Sequence, residues 1–425
     1  MTLRLAILFL SLLPALAGAA ELRGHGGPVR AIAVSADGAT IITGSFDTRA
    51  ILWSPDSGEA RQVLLFHEGQ VNAVAALGDG RFATAGEDSR IAIWQEGQPA
   101  PIRIFEGHSA PIAALAVSPD GSMLASASWD RTVRLWPLSG DGAPRTFEGH
   151  DGNVNAVVFL SDGALASAGY DSRLILRPLD GEGAPVAIEM PTPLNALAAL
   201  PGDRLAVAGG DGFVRIVGRD GDILAEAPVA STPVVALAVT EDGGLIATAS
   251  LRDGVTILDA SDLSPIRSLA AVEQAIWALA FTDDGRTLLA GGSGRVVRRW
   301  DVETGQPLDE AGAGSEDLLA AYEGDRGAEI FRACVACHTL DPSNGNRAGP
   351  TLHGLFGREI ASLPGYRYSD ALEEMDIVWT PETVSELFEI GPATYTPGTK
   401  MPEQRIGSAE DRAALIRFLE RATAD

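Results

Sequence analysis

The sequence predicts a multidomain chain in which an all-β, seven-bladed propeller is followed by a small all-α domain. Three observations indicate this. A unit of about 41 residues recurs seven times, the last hundred residues change to helical periodicity, and both cysteines of the chain lie in that last part. With 425 residues, the chain is also too long for one domain of ordinary size, which has ~100–200.

Composition and charge exclude several classes of protein. Hydrophobic residues make up 46% of the chain and charged residues 21%, a globular composition that excludes a largely disordered protein. The net charge is −25, whereas nucleic-acid binding needs a basic surface that displaces counterions. The same charge disfavours binding to anionic membranes. Two cysteines are too few for a disulfide framework.

Residues 1–20 have the pattern of a secretory signal peptide. A positive n-region precedes the apolar run Leu5–Ala17, and Ala17-Gly18-Ala19 resembles a cleavage site. We expect a soluble mature protein in the periplasm, beginning near Glu21 and without stable membrane insertion. The alternative is an uncleaved anchor, but Pro14 interrupts the run, which is shorter than the ~20 residues that a spanning helix needs.

Residues 21–304 contain the seven repeated units. Each has an Asp-Gly or Gly-Asp pair, then a strand of small residues and a further strand. The ends of these further strands are 41, 42, 41, 40, 41 and 42 residues apart. They are Trp53, Trp94, Trp136, Arg177, Val217, Leu258 and Trp300. Three clear strands and a weaker fourth in each unit predict a seven-bladed propeller, whose radial arrangement protects the strand edges.

The units resemble WD40 repeats. A histidine, three times within a Gly-His pair, recurs in the first four units, and an aspartate lies six residues before each of their strand ends. These residues are His25, His67, His108 and His150, and Asp47, Asp88, Asp130 and Asp171. The resemblance implies that each pair joins a hydrogen-bonded network with a Ser or Thr and the Trp. We therefore expect these four histidines to be structural, not catalytic.

The later units depart from this pattern. Units five to seven lack the histidine, and the last two also lack the aspartate, so we expect apolar packing alone to hold these blades. Either Glu21–Arg23 or Gln306–Glu310 could supply the outer strand of the seventh blade. Residues 305–323 are rich in Gly, Ala and acidic residues, which predicts a linker.

Residues 324–425 form the second predicted domain. Helical signals cover Asp325–Ala333, Pro381–Ile390 and Ser408–Ala422. The last segment opens with Ser408 in a pattern that resembles a capping box, and an apolar stripe follows at helical spacing.

This domain opens with Cys334-Val335-Ala336-Cys337-His338, the C-x-x-C-H signal for attachment of one c-type haem. Two thioethers fix the porphyrin, and the adjacent imidazole then lies under the iron as the proximal ligand. Three alternatives are disfavoured. A zinc site wants four ligands, and only His338 and His353 remain beside the cysteines. A redox dithiol requires a surrounding βαβ pattern, which this part of the sequence lacks. A disulfide between these two cysteines would close so short a loop that it would stabilise the fold little.

Met401 is the predicted sixth ligand. It lies in a loop punctuated by Pro and Gly, whereas a core methionine is expected on an apolar face. Thioether sulfur is a soft, neutral donor that favours ferrous iron and raises the potential. His353 is the alternative ligand. We therefore predict one covalently bound haem c with His338 and Met401 on the metal, and no catalytic residue.

Further motifs extend the similarity beyond the haem signal. They are Gly327, Phe331 and Phe418, the segments 349–358, 365–371 and 397–401, and Trp379. Over residues 324–425, about a quarter of the chain, the sequence resembles the mitochondrial-type class I cytochrome c family. The resemblance implies that the carbonyl of Pro350 accepts a hydrogen bond from the His338 ring. It also implies four residues around the haem propionates: Arg358, Tyr366, Tyr368 and Trp379.

The charge of this domain departs from that family, in which lysines surround the exposed haem edge. This domain has Lys400 and nine arginines against sixteen acidic residues, a net charge of −6. Residues 21–323, the propeller together with the linker, add another −20. Steering towards an acidic partner is therefore weakened, and we expect redox partner proteins with a neutral or basic docking surface.

The favoured hypothesis is a periplasmic electron carrier, not an enzyme, with the propeller as a protein-docking platform. A second hypothesis makes the propeller a catalytic or cofactor-binding domain that passes substrate electrons to the attached haem. A third is a redox sensor or assembly factor, in which the haem only reports or stabilises.

Overall fold

Most of the chain after residue 20 is described by the computed structural model. The described residues are 21–140, 142–179, 183–269, 275–282, 284–308, 319–322, 324–331, 334, 338–340, 349–364, 366, 368–397, 399, 401 and 405–424. The predicted signal peptide (residues 1–20) and most of the predicted linker lie outside them. Within the described ranges, no helix is both long and apolar enough to cross a membrane.

The N-terminal domain is a ring of seven four-stranded antiparallel sheets, which confirms the predicted propeller. Neighbouring blades contact each other through their first strands. The first strands are Val29–Val34, Val71–Gly78, Ile112–Val117, Val154–Phe159, Leu194–Leu200, Val234–Val239 and Ile276–Phe281. The second strands are Ile41–Ser45, Arg81–Gly86, Met123–Ser128, Leu165–Gly169, Arg204–Gly209, Leu245–Ser250 and Thr287–Gly292.

The third and fourth strands complete each blade. The third strands are Arg49–Trp53, Ile91–Gln95, Val133–Pro137, Arg173–Arg177, Phe213–Val217, Val255–Asp259 and Val296–Asp301. The outer strands of blades one to six are Ala60–Leu65, Arg103–Phe105, Arg145–Phe147, Val186–Glu189, Ile223–Pro228 and Pro265–Leu269. The outer strand of the seventh blade is Leu22–Arg23, so the start of the propeller closes the ring.

Both segments that could close the seventh blade form hydrogen bonds with its third strand. Leu22 and Arg23 pair with Val297 and Val296. Further along the same strand, the amide of Leu308 donates to the carbonyl of Arg299 at 2.9 Å. The blade therefore has an outer edge built from both ends of the propeller sequence.

Asp-Gly and Gly-Asp pairs form the turns between first and second strands. Their glycines have φ angles between 66° and 84°, in the left-handed region that side chains disfavour. In the second blade, Asp79 shares this conformation with Gly80, as a two-residue hairpin turn requires. The Asp-Gly and Gly-Asp pairs are therefore hairpin turns.

Polar networks hold the first four blades, as the WD40 resemblance implied. In blade one, His25 Nδ1 lies 3.0 Å from Asp47 and His25 Nε2 lies 2.7 Å from the Thr43 hydroxyl. Trp53 Nε1 donates to the same hydroxyl at 2.8 Å. All four histidines make the corresponding contacts and are buried.

Blade four replaces the tryptophan by Arg177. Its guanidinium donates to the Ser167 hydroxyl at 2.9 Å and to the carbonyl of Glu148 at 2.7 Å, and the side chain is buried. Burial lowers the pKa of Arg177, because a low-dielectric environment disfavours the charged form.

The expectation that apolar packing alone holds blades five to seven is wrong for blades five and six. In blade five, buried Arg215 forms ion pairs with Asp211 and Glu226. In blade six, Asp253 accepts hydrogen bonds from Ser231 and Thr232. Blade five keeps the aspartate of the pattern, Asp211, but pairs it with an arginine, and Asp253 of blade six lies one residue from the pattern's position. A search for the His–Asp pattern therefore does not find these networks.

The C-terminal domain has five helices in its described part. They are α1 (Arg326–Phe331), α2 (Asp370–Glu373), α3 (Pro381–Ile390), α4 (Pro392–Tyr395) and α5 (Ala409–Ala422). The predicted Pro381–Ile390 helix has the predicted bounds, and Ser408 caps α5 by accepting from the amide of Asp411. The prediction of a small all-α domain is confirmed.

Helices α1 and α5 cross closely at Gly327. A Cβ at this position would lie 2.2 Å from the carbonyl oxygen of Ala414, so only glycine allows the contact. The rings of Phe331 and Phe418 pack beside it, 5.3 Å apart. This crossing positions the segment that follows α1.

Candidate functional site

The haem-attachment segment follows α1 directly. The amide of Cys334 donates to the carbonyl of Phe331 at 2.7 Å, and the amide of His338 donates to the carbonyl of Cys334 at 2.9 Å. Cys334 is buried and packs in the core of the helical domain. Cys337, the second predicted attachment residue, lies outside the described residues.

The His338 ring is oriented by backbone atoms on its far side. Its Nδ1 lies 2.7 Å from the carbonyl oxygen of Pro350, as the resemblance implied. A carbonyl can only accept, so Nδ1 carries the proton and Nε2 is the basic nitrogen that a metal would bind. Glycine is needed at position 349 to leave room for the same ring, because a Cβ there would lie 2.5 Å from His338 Cε1.

Met401 shares one cavity with His338. The side chain is half-buried and packs against the core of the helical domain, and its amide donates to the Thr399 hydroxyl at 3.0 Å. Both residues line the cavity. The alternative ligand, His353, is not among its lining residues.

Arg358 lines this cavity, and hydrogen bonds to backbone carbonyls hold its side chain in place. Its guanidinium donates to the carbonyls of His353 and Thr351, each at 3.0 Å. The carbonyl of Arg358 accepts from the amide of Trp379 at 2.9 Å, and the amide of Gly357 donates to the carbonyl of Trp379 at 2.8 Å. Trp379 also lines the cavity. Burial lowers the pKa of Arg358, because the cavity wall offers the charge less solvation than water does.

The two predicted tyrosines stand together in the same wall. The rings of Tyr366 and Tyr368 pack edge to face, with centroids 4.8 Å apart. Burial raises the pKa of Tyr368, and the charge of Arg358 only partly opposes this. All predicted site residues that the structure describes therefore lie in or against one cavity, with Pro350 at its edge behind His338.

The sequence motifs did not indicate that the propeller contributes to this wall. Arg49, Ile51 and Val63 of its first blade line the cavity, and so does Gly24. No spacing rule could connect them with a site that begins more than 270 residues later in the chain.

The cavity fits a haem. Its wall is mainly apolar, and its two metal-binding side chains are an imidazole and a thioether, the donor pair of electron-transfer haems. The absence of a side chain at Gly349 leaves space for the imidazole ring. The hydroxyls of the half-buried Tyr366 and Tyr368, together with the Arg358 guanidinium, would hold the polar edge of the porphyrin.

Comparison with known proteins assigns both domains. Residues 324–423 match the cytochrome c family. Five segments match the WD domain, G-beta repeat family; they are 19–54, 58–95, 99–137, 143–176 and 263–301. The matched segments omit blade five and most of blade six, where the polar networks differ.

Individual relatives agree with the family match. Cytochrome c of Arabidopsis thaliana is 43% identical over 108 residues, which cover 25% of this chain and 96% of that protein. Cytochrome c of Cochliobolus lunatus is 46% identical over 99 residues, 23% of this chain and 91% of that protein. Cytochrome c type-1 of Ascaris suum is 42% identical over 101 residues, 23% of this chain and 88% of that protein.

These matches assign one covalently bound haem c and electron transfer to the C-terminal domain, and they make the propeller a platform for protein interactions. Through residues 324–423 the chain belongs to the cytochrome c family, and it carries this domain behind a WD40 propeller.

Proposed function

We propose that this protein is a periplasmic electron carrier whose haem iron is held by His338 and Met401. The observation that supports this most is that an oriented imidazole and a thioether share one mainly apolar cavity. Because His338 and Met401 would both bind the iron, the bound haem would suit outer-sphere electron transfer better than substrate turnover. The export pattern of residues 1–20 supports the location.

The chain's own residues tune the site. The haem supplies a one-electron ferric–ferrous couple when bound. The carbonyl of Pro350 fixes the proton of His338 on Nδ1 and makes Nε2 a better donor. Arg358 places a positive charge in the wall, where it can compensate a buried propionate that would otherwise be costly.

The propeller is the proposed docking platform for a redox partner. Loops at the faces of a rigid propeller commonly carry binding residues. Both domains are acidic, with net charges of −20 and −6, so complementary steering favours a neutral or basic partner surface. The tether keeps the haem at high local concentration beside whatever the propeller binds.

Replacing Met401 tests the proposed ligation. In Met401→Ala, we expect the methionine-to-iron absorption band of the ferric protein to disappear. The reduction potential should fall on the order of 0.1 V or more, within the ~0.8 V over which axial ligands set haem potentials. Protein-film voltammetry and optical spectra measure both.

Met375→Ala is the matched control, because Met375 lies in the same domain and is half-buried but does not line the cavity. It should keep the band and the potential of the unsubstituted protein. A band that survives in Met401→Ala would disprove the ligand assignment. A protein without a reversible one-electron wave would disprove the carrier function itself.

A further inference from the structure

The wall of the haem cavity crosses from one domain to the other. On the side of the helical domain it includes His338, Met401 and Tyr366; on the side of the propeller it includes Arg49 and Val63. Ile51, the strand partner of Val63, also reaches this wall from the core between blades seven and one.

The exposure of Val63 differs from that of equivalent positions in other blades. Val63 lies on the outer strand of blade one, where it pairs with Ile51 of the third strand, and it is only partly exposed. In each of blades two to six, the outer-strand residue at the equivalent position is exposed. The five equivalents are Ile104, Thr146, Ala187, Glu226 and Ser268. Blade one is therefore partly covered at the position where blades two to six meet solvent.

The tether begins beside this wall. Leu308 bonds to Arg299 on the third strand of blade seven, the strand that also pairs with Leu22. Gly24, two residues after Leu22, lines the cavity. Only eleven peptide steps separate Leu308 from Leu319 in the core of the helical domain, a reach of at most about 40 Å. A short tether thus keeps the helical domain close to blade one.

We propose that blade one of the propeller closes the haem crevice, and that Arg49 is a haem-tuning cation contributed by the propeller. This rests on the proposed electron-carrier function. Arg49 adds a positive charge to a wall that already contains Arg358. A nearby cation disfavours the ferric state, which carries one more positive charge than the ferrous state, and so raises the reduction potential.

A covered haem edge restricts where a redox partner can dock. A haem edge covered by Ile51 and Val63 is not open to a second protein on that side, so electrons must enter or leave elsewhere along the crevice. The docking surface for the redox partner is then composite, with the propeller flanking the exposed part of the haem domain.

Charge-altering variants of the holoprotein test the role of Arg49. We expect Arg49→Gln to lower the reduction potential by about 59 mV, a tenfold change in the one-electron equilibrium constant. Arg49→Lys keeps the charge and should restore most of the potential. Arg61→Gln on the neighbouring outer strand is the control; Arg61 is exposed and bonds Thr40 and Glu96, away from the cavity.

A second pair of variants tests the wall without touching Arg49. Val63→Glu should also lower the potential, because it brings a negative charge and water to the haem. The variant should fold, since blade five has Glu226 at the same register. Ile104→Glu, at that register in blade two, is the matched control and should leave the potential unchanged.

Equal potentials in Val63→Glu, Ile104→Glu and the unsubstituted protein would overturn the proposal, even if Arg49→Gln fails to fold. The carrier function would still stand in that case, provided that the unsubstituted protein shows its one-electron wave. Loss of that wave in the unsubstituted protein would instead overturn the function on which the proposal rests.

Discussion

At the scale of single residues, backbone atoms determine how the proximal histidine faces the haem. The carbonyl of Pro350 lies 2.7 Å from His338 Nδ1, and Gly349 leaves the space that the ring occupies. The family resemblance predicted the first contact. The need for glycine at 349 could not be predicted, because it arises from a close approach between segments eleven residues apart.

The aspartates of the blade networks stay ionised well into the acid range. Burial would raise the pKa of Asp47, but the charge and hydrogen bond of His25 outweigh it and hold the pKa at about 2. Hydrogen bonds hold the pKa of Asp88 and Asp130 at about 2 against burial as well. Loss of these charges therefore destabilises the fold only as the pH falls below the ordinary aspartate value of 3.8.

The histidines of the same networks respond at milder pH. Burial lowers the pKa of His108 and His150 below 6.5, although Asp130 and Asp171 oppose the shift. The unfolded chain then binds more protons than the folded one in this range, so acid favours unfolding. We expect the propeller's free energy of unfolding to be steady above about pH 6.5 and to fall below it.

Urea unfolding followed by tryptophan fluorescence measures this pH dependence between about pH 7.5 and pH 5. The network aspartates remain ionised across that interval and do not obscure it. Stability that rises as the pH falls would show that protonated His108 and His150 are the native forms.

At the scale of elements, repetition made the propeller predictable. Asp-Gly turns and strand ends recur at almost constant spacing, so seven blades could be counted, and Pro381–Ile390 could be delimited by its first proline. The networks of blades five and six could not be predicted from the His–Asp pattern, because Arg215 reaches Glu226, and Asp253 reaches Ser231, only in the folded blades. Which segment closes the seventh blade could not be predicted either, because Leu22–Arg23 meet Val296–Val297 only when the ring is complete.

Arg177 shows how one blade tolerates a substituted network. Removing it in Arg177→Met would leave the Ser167 hydroxyl and the Glu148 carbonyl without this buried donor. We expect a loss of ~1–3 kcal/mol in the propeller's free energy of unfolding, the usual cost of stranding buried polar groups. Denaturant titration measures it.

Arg173→Met is the matched control for this prediction. Arg173 lies in the same strand, but its ion pairs with Asp151 and Glu189 are near the surface. Exposed pairs contribute ~0–1 kcal/mol, so the control should cost less than Arg177→Met. Equal losses in the two variants would mean that the buried guanidinium is not essential to blade four.

At the scale of the whole molecule, the described residues form separate cores in the two domains. The core around Phe331, Leu415 and Phe418 contains residues of the helical domain alone, whereas the other cores lie within or between blades. The sequence predicted this division from its change of periodicity. It could not predict the wall shared through Arg49 and Val63, which exists only in three dimensions.

Separate cores predict separate folding. In a strain without haem-attachment machinery, we expect residues 324–425 to remain unfolded while the propeller stays folded, because its ring is closed by its own strand Leu22–Arg23. Limited proteolysis should then remove the C-terminal domain and leave a resistant fragment of seven blades. Digestion of both parts would contradict independent folding.

Mass spectrometry of the protein purified from the periplasm tests most directly whether it is an exported haem protein. We expect a chain that begins near Glu21 and carries the mass of one haem on the peptide that contains Cys334 and Cys337. Recovery of the chain only from the cytoplasm with residues 1–20 still attached, or a peptide with two unmodified cysteines, would contradict an exported electron carrier.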